Sequence, residues 1–178
     1  MPAERFIDAL NDQIAREFGA SQQYLAAAVW YDDNTFPQLA RLFYGQSVEE
    51  REHALMMTKY LLDSDAPVRV PGVDAPRGEF EDHVVPVRVA LEQERRVTDQ
   101  ISELAQVARE ERDYVSEQFM QWFLKEQVEE VDLFSTLLEV AERTRERPMD
   151  LEEFIAREGI GGDEESADPT APAVAGGP

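Results

Sequence analysis

Apolar residues return at steps of three and four over four long stretches of this chain, roughly Ala3 to Asp32, Phe36 to Asp63, Pro86 to Arg109 and Tyr114 to Arg147. That spacing is the mark of amphipathic helices packed in a bundle. Short polar breaks, DDNTFP at 32–37 and REERDY at 109–114, join the first stretch to the second and the third to the fourth. Each pair therefore reads as an antiparallel hairpin. Between the second and third stretches, residues 64–80 carry three prolines and two glycines. Such a linker can extend to about 55 Å at about 3.3 Å per residue, whereas a helix of about 27 residues is roughly 40 Å long. The linker can thus run the length of the bundle, leaving the second and third helices parallel. The pattern predicts an all-α fold: a four-helix bundle with one long crossover. Beyond it, Asp150 and Glu153 have capping-box spacing and open a short fifth helix that stops at Gly159. Its stripe of Leu151, Phe154 and Ile155 needs a partner, either its own bundle or a neighbouring subunit, because so short a helix does not stand alone. Residues 1–160 are read as one domain, and 161–178, GGDEESADPTAPAVAGGP, as a disordered acidic tail rich in proline and glycine.

Each seam is free of charge until its middle. The first runs Ile7, Leu10, Ile14 and then meets Glu17; the second runs Leu39, Phe43, Gln46 and then meets Glu50 and His53. The third breaks at Glu94, and the fourth at Gln127 and Glu130. The spacings repeat: Glu17 to Glu50 and Glu94 to Gln127 are each 33 residues, and a shift of 77 lays the first hairpin on the second, with Glu17 on Glu94. A solvated face is the ordinary place for any single helical glutamate. Four glutamates and an imidazole at one level of a core seam are another matter, since burying an unpaired charge costs several kcal/mol. No lysine or arginine shares the seam. Two divalent ions would balance the four carboxylates, with His53 and Gln127 neutral.

Composition narrows the chemistry. There are no cysteines among the 178 residues, so a metal must be held by oxygen and imidazole. That donor set suits iron or manganese better than zinc. A pair of such ions can deliver one electron each to dioxygen. A formal charge of -21 argues against nucleic acid and anionic membranes as partners, both of which call for basic patches. The first residues, MPAERFIDAL, lack a secretory pattern, and the longest apolar run, Tyr24 to Tyr31, is too short to span a bilayer. A soluble cytoplasmic protein is expected.

Glu17, the EEREH of 49–53, Glu94 and the EQVEE of 126–130 together resemble the prokaryotic non-haem ferritins of the ferritin-like di-iron family, over Arg5 to about Arg147. The resemblance implies a ferroxidase centre in which Glu17, Glu50 and His53 hold one iron and Glu50, Glu94 and Glu130 the second. Gln127 lies beside it, and a third iron site maps onto Glu49, Glu126, Glu129 and Glu130. Tyr24, two turns after Glu17, is implied to hydrogen-bond near the ligands and to supply an electron during oxygen reduction. The resemblance also implies a homo-24-mer shell that takes up iron(II), oxidises it with oxygen or peroxide and stores ferric mineral. Haem is not expected. Haem-binding relatives place a methionine directly after the second-helix glutamate and a second Glu-x-x-His on the fourth helix, where this chain has Arg51 and Gln127-x-x-Glu130. Met56 and Met57 read as core or interface, Trp122 as packing, His83 as a surface residue and Glu117 as an exposed helix acid. Two other functions share these residues: a di-iron oxidase acting on an organic substrate, and a non-catalytic acidic metal-binding scaffold.

Overall fold

A computed structural model of the chain describes residues 1–161 and 170–176. Its helices are α1 Glu4–Asp33, α2 Pro37–Asp63, α3 Val85–Glu110, α4 Tyr114–Arg143 and α5 Pro148–Glu158. Helices α1 and α2 pack as one hairpin, α3 and α4 as the other, and α1 lies against α3.

Four of the five helices end alike. Thr35, Asp65, Arg112 and Gly159 have φ between 53° and 68°. In each case the following amide reaches back five residues to a helical carbonyl: Phe36 to Tyr31, Ala66 to Leu61, Asp113 to Ala108 and Ile160 to Ile155. This left-handed closure satisfies carbonyls that the helix end would leave bare. Helix starts are set by proline at the first or second position of α2, α3 and α5. Asp113 opens α4, its side chain accepting from the Ser116 amide at 3.1 Å. The capping box expected at Asp150 does not form. Pro148, with its fixed φ and no N–H, starts α5 two residues earlier, and the Asp150 carboxylate pairs with Arg147 at 2.9 Å. Helix α4 also stops short of the expected Arg147, since the Thr144 hydroxyl bonds back to the Val140 carbonyl at 2.8 Å and Pro148 lies ahead.

The crossover runs along α1 and is pinned to it twice. Asn11 donates to the Pro67 carbonyl at 3.0 Å and accepts from the Arg69 amide at 2.7 Å. Twelve residues further on, Gln23 exchanges a matching pair of bonds with Arg77 at 2.9 and 3.0 Å. Ala66 at one end of the crossover joins one apolar cluster and Phe80 at the other end joins a second. The core is thus in two pieces. One holds Phe6, Leu10, Ile14, Met57, Ile101 and Phe123; the other holds Tyr31, Phe43, Val87, Phe134 and Leu137 together with Leu151 and Ile155 of α5. Buried between them on the four seams are Glu17, Gln46, Glu50, His53, Glu94, Gln127 and Glu130.

Most of the tail expected to be disordered falls outside the described residues. Of the described part, Ala171 and Val174 pack against the cluster that contains Met57, and the Ala175 amide meets the Leu55 carbonyl at 3.3 Å. His83 is not a surface residue. Its ring stacks on Phe36 with centroids 5.6 Å apart, and its carbonyl accepts from the Tyr31 hydroxyl at 2.7 Å. It sits on the turn before α3, where the seam spacing gives no guidance about burial.

Candidate metal centre

Helical periodicity brings the polar seam residues to one level. Residues three or four apart share a helix face, so Glu50 and His53 project together from α2, as Gln127 and Glu130 do from α4. Glu17 of α1, with Glu50 and His53, offers ligand atoms that all lie within 4.8 Å of one another, and all three residues are buried. Glu94 is wholly buried beside them. The Tyr24 hydroxyl donates to Glu94 Oε1 at 2.5 Å and Gln127 Nε2 donates to Glu94 Oε2 at 3.2 Å. A second group of ligand atoms, from Glu49, Glu126 and Glu130, also lies within 4.8 Å, and it is less buried.

The structure therefore brings together Glu17, Glu50, His53, Glu94, Glu130, Tyr24 and Gln127, and places Glu49 and Glu126 alongside Glu130. Glu129 is not brought in. It is exposed, with its carboxylate 3.5 Å from Lys125 one turn back. Trp122 packs, and it does so against the centre: its ring meets the His53 ring edge-on at 5.6 Å, while Phe123 meets it at 5.7 Å, so the imidazole is clamped. Glu117 is mostly covered rather than exposed, through its ion pair with Arg109 at 2.6 Å. Seam reading missed two holders. Gln13 donates to Glu17 Oε1 at 2.8 Å, and Gln46 donates to Glu49 Oε2 at 2.9 Å and Glu130 Oε1 at 3.4 Å, tying together two members of the second group. For Gln46 the signal was its place on the seam. Gln13 lies one residue off it, and only its position one turn before Glu17 marks it.

Electrostatics follow from burial. Loss of solvent pushes the Glu17 carboxyl up to about 7, opposed by the neighbouring Glu50 carboxyl and by the bond from Gln13. Burial also raises Glu50 and Glu130 well above the carboxylate range, and the surrounding carboxylates add to the rise. Glu94 is raised by the same burial, though the Tyr24 and Gln127 donors oppose it. Burial lowers His53 to about 4, so its imidazole is neutral near pH 7 and keeps a lone pair to donate. Glu17 Oε2 and Glu130 Oε2 are buried acceptors with no hydrogen-bond partner. Bare buried acceptors are costly, and here they point into a cluster of oxygens and one imidazole. A divalent cation that favours oxygen and nitrogen donors fits the set.

A crossover four-helix bundle with a buried carboxylate–histidine layer at mid-height defines a carboxylate-bundle metal protein. The model of the ferritin-like domain matches residues 7–144. The chain is 51% identical over 173 residues to the protein called ferritin BfrB in Mycolicibacterium smegmatis, covering 97% of this chain and 94% of that protein. It is 35% identical over 136 residues to the bacterial non-heme ferritin of Staphylococcus aureus, covering 76% and 82%. Among solved structures it superposes on a humanized archaeal ferritin with a TM-score of 0.85 at 26% identity, covering 88% of this chain and 96% of that one. This chain belongs to the ferritin family of iron-storage proteins. Among the described residues no helix is long and apolar enough to cross a membrane.

Proposed function

We propose that this chain is a ferroxidase subunit of a storage shell, oxidising iron(II) at the buried centre and holding the ferric product inside an assembly of 24 copies in the cytoplasm. The observation that carries it is the ligand trio of Glu17, Glu50 and His53, buried with its donor atoms within 4.8 Å and with Glu17 Oε2 unpartnered. Iron(II) is the substrate. Glu17, Glu50 and His53 take the first ion, Glu50, Glu94 and Glu130 the second, and Glu50 bridges. Glu49, Glu126 and Glu130 offer a third position, which Glu129 reaches only by leaving Lys125.

Two iron(II) ions give up one electron each. Dioxygen accepts the two electrons with two protons to form hydrogen peroxide, or peroxide accepts them with two protons to form two waters. The residues manage the protons. Carboxyl groups that hold protons near neutral pH release them as the metal binds. His53 is already neutral and needs no deprotonation. Tyr24, donating at 2.5 Å, and Gln127, donating at 3.2 Å, hold Glu94 as an acceptor for the second ion.

Adding about two iron(II) per chain in air is expected to give a fast absorbance change, which His53→Ala and Glu17→Ala slow greatly, since each removes a ligand of the reacting ion. Sizing near half a megadalton on the same sample reads the shell. Kinetics unchanged in both variants would end the ferroxidase assignment. Haem is not part of the proposal: Arg51, next to Glu50, is exposed, and Met56 and Met57 are buried in the apolar cluster. A Soret band that follows the protein through purification would overturn that.

A further inference from the structure

Glu17 is held differently from Glu94, which occupies the equivalent position in the second hairpin. Glu94 takes its hydrogen bonds from across the bundle, from Tyr24 and Gln127. Glu17 takes its bond from one turn back on its own helix, where Gln13 Nε2 donates to Oε1 at 2.8 Å. That amide is itself fixed. Gln13 Nε2 also donates to Gln100 Oε1 on α3 at 3.2 Å, and Gln13 Oε1 accepts from Arg16 Nη1 at 3.1 Å. Turning the amide over would set its carbonyl against two acceptors and its NH2 against a guanidinium. With Oε1 engaged in this way, Glu17 is left to present the unpartnered Oε2. Gln13 is fully buried, but its two anchors reach the surface, where Arg16 and Gln100 line a cavity of about 120 Å³ between α1 and α3 together with Asp12, Glu103 and Leu104.

We propose that Gln13 is a positioning residue for the first metal position, and that Arg16 and Gln100 set that positioning from the α1–α3 surface. The proposal rests on the metal-centre reading given above. A carboxylate that can swing about its terminal torsion binds a cation less well than one already aimed, and a hydrogen-bond partner behind a metal ligand is typically worth roughly 10–100-fold in affinity. Arg16 and Gln100 make no hydrogen bond to a ligand of the centre, so their effect on the aim of Glu17 passes through the Gln13 amide, while the Arg16 charge also acts on Glu17 through space.

The test is an anaerobic cobalt(II) titration of the full chain, followed through the visible d–d bands, which report both affinity and ligand geometry. The wild type is expected to take up two ions per chain at the centre. In Gln13→Leu the ion bound at Glu17, Glu50 and His53 is expected to weaken roughly 10–100-fold with altered band intensity, while the other ion is unchanged. Arg16→Lys, which keeps the charge but loses the guanidinium fork, and Gln100→Leu should weaken the same ion by a smaller factor, and Gln100→Leu should add nothing in a Gln13→Leu background. If Gln13→Leu does not fold, the Arg16 and Gln100 variants, whose side chains reach solvent, decide the matter. A wild type that binds two ions alongside three variants that bind them identically overturns the proposal and leaves the metal centre standing. A wild type that takes up no cobalt at the centre overturns both.

Discussion

One carboxyl group differs from the next along the seams because the donors around it differ. Glu94 has two, the Tyr24 hydroxyl and the Gln127 amide, whereas Glu50 has His53 at 3.3 Å and is otherwise raised by Glu94, Glu17 and Glu130. Removing the charge without the shape therefore acts unequally. In the metal-free protein at neutral pH, Glu50→Gln is expected to raise stability by about 1–3 kcal/mol, because the amide needs neither a buried charge nor the proton that the raised Glu50 must hold on folding. Glu94→Gln should gain less, because its new NH2 group would face the Gln127 amide. Thermal melts of the two apo variants decide this, and an apo Glu50→Gln that melts below wild type would show that the seam charges are not crowded. The pH dependence has a definite sign. Glu17 titrates near 7 when folded against an ordinary 4.5, so between those values the native state holds a proton that the unfolded chain has released. Apo stability must fall as pH rises through that window, and Glu50, Glu94 and Glu130 push the same way. His53 opposes them between about 4 and 6.5, where the unfolded imidazole is charged and the buried one is not. Four carboxyls outweigh one imidazole, so apo melts should drop from pH 5 to pH 7 and bound metal should reverse the drop. The ligands were legible in the sequence because seam position is set by helical period. Their holders were not, since whether Gln13 reaches Glu17 or solvent depends on where α3 lies.

At the scale of elements, helix existence was legible and helix ends were less so. Left-handed closure at Thr35, Asp65 and Arg112 uses no glycine, so the strongest stop signal was missing at three of four closures. The start of α2 shows how an end can be completed from far away. Phe36 precedes it and supplies no side-chain cap. The cap comes instead from α5, where the buried Glu152 carboxylate accepts from the Gln38 amide at 2.8 Å and the Leu39 amide at 3.0 Å. The negative charge also meets the positive end of the α2 dipole. One residue thus holds α5 on the bundle and finishes α2, and its partner is the chain's own bundle, one of the two anticipated for α5. Glu152→Ala is expected to cost about 1–3 kcal/mol, because it bares one buried and one half-buried amide. Glu152→Gln should cost less, since an amide oxygen can still accept. Denaturant midpoints measure both, and equal midpoints for Glu152→Ala and wild type would mean that α5 is held by its apolar stripe alone. The interaction spans 114 residues. Nothing local could have revealed it.

For the molecule as a whole, the crossover was legible from its length and its prolines, because chain geometry alone decides whether 17 residues can span a bundle. The side-chain clamps at Asn11 and Gln23 that hold it against α1 were not, as they pair with backbone whose path the sequence leaves open. The C-terminal stretch presents the same limit in a sharper form. Its composition suits disorder, yet Ala171 and Val174 lie on the apolar cluster and Ala175 meets Leu55. Removing Gly162–Pro178 loses these contacts but also removes four acids, Asp163, Glu164, Glu165 and Asp168, from a chain of net charge -21, which relieves self-repulsion. The two effects oppose each other, so that truncation should shift apo stability by about 1 kcal/mol or less, the net scale of a single hydrogen bond. Removing Pro148–Pro178 is different in kind. It strips Leu151 and Ile155, both fully buried, from the cluster around Phe43 and Phe134, and takes the Glu152 cap with them. Large buried aliphatics cost about 2–5 kcal/mol each when deleted, so this truncation should lose several kcal/mol and the proposed shell should weaken or fail to form. Melting and sizing of the two truncations side by side give the answer. If both behave alike, α5 contributes no more than the tail does, and the core piece at that end of the bundle is complete without it.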